Sequence, residues 1–258
     1  MSDGPKPVAD PFARLRAATP ARIGVGRAGD ALPTGALLDF QAAHSRARDA
    51  VHAALDVDAL SAALAPLPCL QVRSRVPDRA RYLRRPDLGR RVAPEDLAAL
   101  DAARGDWDLA LVIADGLSPN AVMRTAPALV HRLLQRLPNW RVAPVVIATQ
   151  ARVALGDEIG RQLGARMVAV LIGERPGLSV AESLGIYLTW QPRVGRVDAE
   201  RNCISNIHAD GMDTVEAADT LVWLLGQASA HARTGVALKL DRTAASALQS
   251  APPPLPGR

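Results

Sequence analysis

Residues 167–172, Met-Val-Ala-Val-Leu-Ile, form an unbroken apolar run that ends at Gly173. A run of this length, rich in β-branched residues, is typical of a strand buried on both faces of a parallel sheet. A charged pair, Glu174 and Arg175, comes next and is followed by Pro and Gly, which favour a turn because Pro restricts φ and Gly tolerates positive φ. The sequence therefore predicts a strand that presents Glu174 and Arg175 at the edge of a sheet.

Apolar runs and helical patterns alternate from residue 106 onward. They predict strands at 109–114, 142–148, 167–172 and 185–190, and helices at 118–137, at 156–163 and after a capping-box pattern at 213–216. Ser118 is expected to cap the first helix and Gly164 to end the second. This alternation predicts an α/β fold with a Rossmann-like, mainly parallel sheet flanked by helices. In such sheets ligands bind beyond the carboxyl ends of the strands, where Asp115, Gln150 and Glu174 lie.

The N-terminal region, residues 22–105, is predicted to be helical. Apolar residues recur at helical spacing over residues 34–55, and shorter helices are expected at 57–64 and 94–104. His44 falls on the apolar stripe of the first helix, where a core or interface histidine is a simpler interpretation than a catalytic one. Residues 71–91 are rich in arginine, which predicts a solvated or subunit-facing surface.

Two alternative functions come from local motifs. Residues 24–29 spell Gly-x-Gly-x-x-Gly, a dinucleotide-binding pattern when it joins a strand to a helix. Here it follows Pro20 closely and runs into Asp-Ala-Leu-Pro, so a glycine-rich loop is favoured over a nucleotide site. The arginines of residues 71–91 allow an RNA-binding module, but Tyr82 is the only aromatic among them, and single-stranded RNA binders need aromatic stacking platforms.

Composition narrows the class of protein further. The net charge of +5 suits an acidic partner surface, a phosphate or a nucleic acid. Two cysteines, Cys69 and Cys203, are too few for a disulfide framework, and no Cys/His spacing resembles a zinc site. No apolar run approaches the length of a membrane span and no secretory signal is present, so a cytosolic protein is expected.

Residues 192–207 are interpreted as a long loop, and long loops in compact domains tend to be functional. Cys203 lies within it. Most free cysteines are small buried hydrophobic residues, and a thiolate nucleophile would need a nearby base such as His208. Both interpretations of Cys203 stay open at this point.

Several motifs, taken in order, resemble those of one family. They are the glycine-rich segment at 22–29, the helix at 40–51, the Tyr-Leu-Arg-Arg-Pro-Asp-Leu-Gly-Arg segment at 82–90, Asp-Gly-Leu-Ser at 115–118, Gln-Ala-Arg-Val-Ala-Leu-Gly at 150–156, Gly-Glu-Arg-Pro-Gly-Leu at 173–178 and Asn-Cys-Ile-Ser-Asn at 202–206. Together they resemble the small subunit of ethanolamine ammonia-lyase. The resemblance extends from about residue 20 to about residue 240.

The resemblance implies an adenosylcobalamin-dependent lyase that converts ethanolamine to acetaldehyde and ammonia by a radical mechanism. In this family the large subunit is a TIM barrel that binds ethanolamine, and cobalamin lies between it and the small subunit. The cobalamin-contacting positions of the family fall on Val153, Glu174 and Cys203. The chain lacks the Asp-x-His-x-x-Gly motif of proteins that replace the lower base, so the cofactor is expected to keep its benzimidazole on cobalt. No catalytic residue and no metal ligand is assigned to this chain.

The sequence patterns divide the chain into a mobile tail at 1–21, a helical, arginine-rich region at 22–105, a Rossmann-like domain at 106–240 and a Pro-rich, disordered tail at 241–258. The resemblance implies that the region at 22–105 contacts the partner subunit and that the domain at 106–240 contacts cobalamin. A hetero-oligomer of both subunits is expected, without nucleic acid or membrane. A cytoplasmic location is expected, and a bacterial microcompartment, which some relatives use, is left open.

Overall fold

The computed structural model describes residues 10–239. The tail expected at 241–258 lies outside the described residues, as does the part of the N-terminal tail before residue 10. The described elements are α1 (Ala13–Ala18), α2 (Thr34–His52), α3 (Val57–Ala63), β1 (Cys69–Arg73), α4 (Arg79–Arg84), α5 (Leu97–Ala102), β2 (Leu109–Ala114), α6 (Pro119–Gln135), β3 (Val145–Thr149), α7 (Leu155–Leu163), β4 (Met167–Gly173), β5 (Leu184–Trp190), β6 (Arg201–Ile207) and α8 (Thr214–His231). Short 3-10 turns occur at Leu88–Arg90, Pro94–Asp96, Asp198–Glu200 and Gly235–Ala237.

One six-stranded sheet organises the fold, with the strand order β1-β3-β2-β4-β5-β6. The α/β class is thus confirmed. The β1–β3, β2–β3 and β2–β4 pairs are parallel, whereas the β4–β5 and β5–β6 pairs are antiparallel. The sheet is therefore mixed, and the prediction of a mainly parallel, Rossmann-like sheet is not confirmed. The connection between β4 and β5, residues 174–183, contains no helix and is too short for the crossover that a parallel pair needs.

Strand β1 lies in the N-terminal region that was predicted to be helical, and it corrects that prediction. The strand pairs with β3 from Cys69 opposite Val145 to Arg73 opposite Thr149. Of its five residues only Val72 is buried, because β1 is an edge strand with exposed polar positions. It therefore has no apolar run that would reveal it in the sequence. The predicted helices of the same region are present as α2, α3 and α5.

Strand β6 corrects the prediction of a loop over residues 192–207. Residues Arg201–Ile207 pair with β5, with Cys203 opposite Tyr187. This strand is also at an edge of the sheet, and it alternates buried positions such as Ile204 with exposed ones such as Ser205. Polar residues in a short edge strand resemble a loop when only the sequence is read.

Helix ends follow the expected signals in two cases and differ in a third. Gly164 ends α7 in the left-handed conformation, with φ 80°. The Asp213 carboxylate caps α8 by accepting hydrogen bonds from the N–H groups of Val215 and Glu216, both at 2.8 Å. Ser118 precedes α6 but does not cap it, because its hydroxyl donates to the Ala181 carbonyl at 3.2 Å.

The core has two layers, one on each face of the sheet. On β2, Leu111 faces the layer formed with α3, α6 and α8, whereas Val112 faces the layer formed with α5 and α7. Every residue of β2 and β4 is buried, which confirms the predicted two-sided burial of residues 167–172. No helix within residues 10–239 is both long enough and apolar enough to cross a membrane.

The N-terminal segments pack loosely on this core. The segment that was expected to be a tail contains the short helix α1, and the Arg16 guanidinium donates to the carbonyls of Ile23 and Gly24. The glycine-rich segment forms a turn without an adjoining strand, as its sequence context predicted. On α2 only Ala43 and Ala50 are buried, and His44 is exposed.

Candidate functional site

A groove runs along the carboxyl ends of β2, β3 and β4. It consists of two adjoining cavities, of about 380 and 340 Å³. The first is lined by Tyr82, Gly116, Leu117, Arg152, Val153, Ile172, Gly173, Glu174, Arg175 and Tyr187, and the second by Pro86, Arg90, Arg152, Val153, Ala154, Tyr187, Arg196, Val197 and Asp198. Arg152, Val153 and Tyr187 line both. We call these two cavities together the groove.

The groove brings the three predicted cobalamin-contacting residues to one place. Val153 and Glu174 line its first cavity. Cys203 does not line either cavity but lies next to Tyr187, which lines both. It is opposite Tyr187 in the β5–β6 pair, and the two side chains are hydrogen-bonded. Residues that are 50 positions apart in the chain, from 153 to 203, therefore meet around Tyr187.

The Glu174 carboxylate is fixed by hydrogen bonds to one of its two oxygens, Oε2. Its Oε2 accepts hydrogen bonds from the Ser183 hydroxyl at 2.5 Å and from the Asn206 N–H at 3.3 Å. Its backbone N–H donates to the Ser183 carbonyl at 2.8 Å. A Cβ at Gly185 would lie 2.8 Å from Oε1, so the glycine lets the carboxylate rest against β5. Within residues 10–239 Oε1 has no hydrogen-bond partner, which leaves it free to accept one from a ligand.

The thiol of Cys203 does not have the character of a nucleophile. Burial raises its pKa, as does the charge of Glu174, and the hydrogen bond from Tyr187 only partly opposes this. The residue itself is exposed, so the effect of burial on its pKa is modest. His208, the base that a thiolate would need, accepts a hydrogen bond from the Asp210 N–H through Nδ1 instead. These surroundings favour the interpretation of Cys203 as a small residue beside the groove over its interpretation as a reactive thiolate.

Asp115 joins the ends of β2 and β3 beneath the groove. The residue is 2% exposed, and its carboxylate accepts hydrogen bonds from the N–H groups of Gly116, Gln150 and Ala151 at 2.8, 2.8 and 2.9 Å. The Arg79 guanidinium lies 3.4 Å away. Burial raises the pKa of Asp115, and these four donors oppose the rise. The carboxylate holds Gln150 at φ 53°, a left-handed conformation that is unusual for a residue with a side chain.

Tyr82 forms part of the groove wall between two arginines. The guanidinium carbons of Arg79 and Arg152 lie 4.6 and 4.2 Å from its ring centroid. Its hydroxyl donates to the Ala151 carbonyl at 2.8 Å, and Nη2 of Arg152 donates to the Tyr82 carbonyl at 3.2 Å. The Tyr82 side chain is fully buried. The arginine-rich segment of the N-terminal region thus builds one side of the groove.

Two glycines make the groove's floor from backbone. Gly116 has φ 56°, and a Cβ there would lie 2.2 Å from the Gly173 carbonyl oxygen. A Cβ at Gly173 would lie 2.3 Å from the Ser118 carbonyl oxygen. The Leu117 N–H donates to the Gly173 carbonyl at 2.9 Å. Side chains are excluded at these positions because the ends of β2 and β4 approach so closely.

Sequence reasoning placed Asp115, Gln150 and Glu174 at the strand ends but missed Tyr82, Arg152 and Tyr187 as groove residues. The position of Tyr187 in the groove depends on the antiparallel register of β5, which no local sequence pattern predicts. Arg152 had a detectable signal, since it lies in the same post-strand segment as Val153. No group of three or more His, Cys, Asp or Glu side chains within residues 10–239 is placed to hold a metal ion.

Comparison with known proteins identifies the family. The model of the ethanolamine ammonia-lyase light chain family, EutC, matches residues 9–239. The ethanolamine ammonia-lyase small subunit of Rhodopseudomonas palustris (strain BisA53) is 56% identical over 242 residues, which cover 92% of this chain and 93% of the relative. The small subunits of Bradyrhizobium diazoefficiens and Azotobacter vinelandii are 54% and 49% identical, over 89% and 93% of this chain and 90% and 92% of their own lengths. The chain therefore belongs to the family of ethanolamine ammonia-lyase small subunits.

Proposed function

We propose that this chain holds adenosylcobalamin against the large subunit of an ethanolamine ammonia-lyase, which converts ethanolamine to acetaldehyde and ammonia by a radical mechanism. The observation that carries the proposal is the groove: Val153 and Glu174 line it, and Cys203 is hydrogen-bonded to Tyr187 in its wall. Family resemblance selected Val153 and Cys203, the strand-end rule and the resemblance both selected Glu174, and the three residues lie far apart in the sequence. Their meeting at one surface is the arrangement that a shared ligand requires.

The groove residues fit the chemistry of cobalamin. A corrin carries a rim of amides around a broad apolar ring, so it suits an open surface with apolar contacts and a few fixed polar groups. Val153 offers an apolar contact, and Oε1 of Glu174 can accept a hydrogen bond from a side-chain amide of the ring. Cys203 and the glycine floor leave room for close approach. When bound, the cofactor supplies the radical chemistry, and this chain supplies position.

The division of labour leaves no acid, base or nucleophile to this chain. The substrate would be bound by the large subunit, expected to be a TIM barrel, and cobalt would keep its own benzimidazole. The proposal places the protein in the cytoplasm and leaves open whether it also enters a microcompartment.

The N-terminal region is proposed to contact the large subunit. Helix α2 exposes Leu37, Leu38 and Phe40, which are 40%, 58% and 39% exposed. Exposed apolar side chains clustered on one helix are typical of a protein interface. His44 stacks on Phe40 with 6.4 Å between ring centroids, so it extends the same surface. This is the interface interpretation of His44 and not the catalytic one.

Cobalamin binding by the assembled complex tests the proposal. The large and small subunits are mixed, adenosylcobalamin is titrated in, and binding is followed by its visible spectrum. Glu174→Ala is expected to weaken binding by roughly tenfold, because it removes an acceptor for a ligand amide. Asp101→Ala is the matched control, since Asp101 is an exposed carboxylate of α5 that lines neither cavity and accepts a hydrogen bond from Gln162, near the end of α7 farthest from Val153.

Acetaldehyde formation provides a second readout. It should require ethanolamine, adenosylcobalamin and both subunits together. If the assembled and folded complex takes up no cobalamin, or if Glu174→Ala and Val153→Asp both leave cobalamin affinity unchanged, the proposed role of the groove is wrong.

A further inference from the structure

The second cavity of the groove contains two arginines, Arg90 and Arg152, that no carboxylate of residues 10–239 neutralises. The side chain of Arg90 forms no hydrogen bond or ion pair within residues 10–239. Other arginines of the same segment are paired, among them Arg85 with Asp87 and Arg91 with Glu158. Most of the carboxylates that pair the arginines of residues 71–91 lie outside this segment, and none of them reaches Arg90, which lines the cavity.

Arg152 is the second unneutralised cation. Its guanidinium is fixed against the Tyr82 ring and donates to the Tyr82 carbonyl, yet its Nε is buried and has no hydrogen-bond partner in the described part of the chain. Its backbone N–H donates to the Gly89 carbonyl at 2.8 Å, which ties it to the residue beside Arg90. The guanidinium charge of Arg152 is thus held in place at the cavity, where an anion can accept charge-assisted hydrogen bonds from its other N–H groups.

The other charges of the cavity do not cancel these two. Arg196 is held by Glu200 and by the carbonyls of Trp190 and Gln191. The one carboxylate in the lining, Asp198, accepts from Nε of Arg201 at 3.3 Å. The cavity therefore has an excess of positive charge, and arginine pairs of this kind favour phosphate oxygens because a guanidinium presents several donors in one plane.

We propose that the second cavity is an anion subsite in which Arg90 and Arg152 bind the phosphodiester of the ligand whose corrin contacts Val153 and Glu174. This inference rests on the proposed function, because cobalamin carries its phosphodiester in the nucleotide tail, at a distance from the corrin ring. The two cavities adjoin through Val153 and Tyr187, so one ligand can occupy both.

The test uses a series of ligands that differ in the phosphate. Cobinamide lacks the nucleotide tail and its phosphate, cobinamide phosphate adds the phosphate alone, and cobalamin has the complete phosphodiester. Affinities of the cyano forms are measured for the complex of this chain with its large subunit. The wild-type complex is expected to bind cobinamide phosphate roughly tenfold more tightly than cobinamide, as charge-assisted hydrogen bonds would give.

Arg90→Ala should reduce this preference to roughly threefold or less and leave the affinity for cobinamide unchanged. Arg90→Lys keeps the charge but loses the planar donors, so it should give an intermediate preference. Arg132→Ala is the control, because Arg132 is an exposed arginine on α6, which packs on the other face of the sheet. Arg90 is also exposed, so its replacement should not affect folding.

The outcomes separate the two proposals. If no corrinoid binds to the assembled complex, the proposed function fails and the subsite with it. If cobalamin binds but Arg90→Ala lowers the affinities for cobinamide and cobalamin equally, or changes neither, only the anion subsite is wrong. Inorganic phosphate should compete with cobalamin and not with cobinamide. If phosphate weakens the binding of both equally, the cavity binds a separate anion and the assignment to the cofactor's phosphodiester is overturned.

Discussion

Arg201 and Asp157 form a buried, two-point ion pair between β6 and α7. The Nη1–Oδ1 and Nη2–Oδ2 distances are 2.6 and 2.7 Å, and both side chains are 1% exposed. The Arg201 guanidinium also donates to the Thr189 hydroxyl at 2.9 Å. Cys203 follows Arg201 by two residues, and Val153 lies just before α7. The pair therefore connects the two elements that carry these site residues.

Removing one partner of this pair should destabilise the protein strongly. Arg201→Ala leaves the Asp157 carboxylate buried and without its charged donor, which is expected to cost about 3–5 kcal/mol. Urea denaturation of the isolated chain measures this difference. Arg85→Ala breaks the exposed pair with Asp87 and should have no measurable effect. Equal stabilities of the Arg201→Ala variant and the wild type would contradict a structural role for the buried pair.

The glycine floor of the groove should not accept a side chain. Gly116→Ala combines a left-handed φ with a Cβ only 2.2 Å from a backbone oxygen, so we expect a loss of more than about 3 kcal/mol. Gly29→Ala has a similar φ of 64°, but a Cβ there would meet no atom of residues 10–239 within 4 Å, so it should cost only about 1 kcal/mol. Thermal or chemical unfolding distinguishes the two. A Gly116→Ala variant as stable as Gly29→Ala would mean that β2 and β4 can separate at their ends.

The central elements of the fold were predictable because each has a strong local signal. Strands β2 and β4 are unbroken apolar runs, Gly164 ends α7, and Asp213 caps α8. The edge strands β1 and β6 have no such signal, because within residues 10–239 one side of each pairs with no further strand and their polar residues are solvated. The direction of β5 was also unpredictable from its composition. It depends on the length of the connection from β4 and on the absence of a helix there.

The candidate site was only partly predictable for the same reason. Asp115, Gln150 and Glu174 could be placed from the rule that strand ends meet at one edge. The assignment of Val153 and Cys203 depended on family resemblance, since neither residue type has a distinctive chemistry at its position. The contact between Tyr187 and Cys203 depends on the register of two antiparallel strands. Such contacts are set by tertiary structure and cannot be predicted from the residues that adjoin them in the sequence.

The reactivity of Cys203 offers a test of its surroundings. Because burial and the charge of Glu174 raise its pKa above the usual 9.0, the thiol should react with iodoacetamide more slowly at pH 8 than a free thiol does. Tyr187→Phe removes the hydrogen bond that opposes this rise and should slow the reaction further. The rates are measured in a Cys69→Ser background. A faster reaction than that of a free thiol would instead indicate a thiolate.

Acid should weaken a second ion pair, which joins the N-terminal region to α7. The Glu158 carboxylate accepts from Arg91 at 2.8 and 3.0 Å and from the Val92 N–H at 2.8 Å. Burial alone would raise the pKa of Glu158, but these donors outweigh it and hold the pKa below its usual value of 4.5. The stabilisation is therefore complete above about pH 4.5 and is lost as the pH falls through the lower pKa of the folded state.

Glu158→Gln should consequently lower the free energy of unfolding by about 1–2 kcal/mol at pH 7. This loss is smaller than for a fully buried ion pair because Arg91 is partly exposed. The difference from the wild type should shrink as the pH falls below the usual pKa of a glutamate. Urea denaturation of both proteins across this pH range measures it. Glu95→Gln is the control, because its pair with Arg73 is exposed and should contribute little at any pH. A difference between wild type and Glu158→Gln that stays constant down to the acid limit would show that the charge of Glu158 is not what joins the two regions.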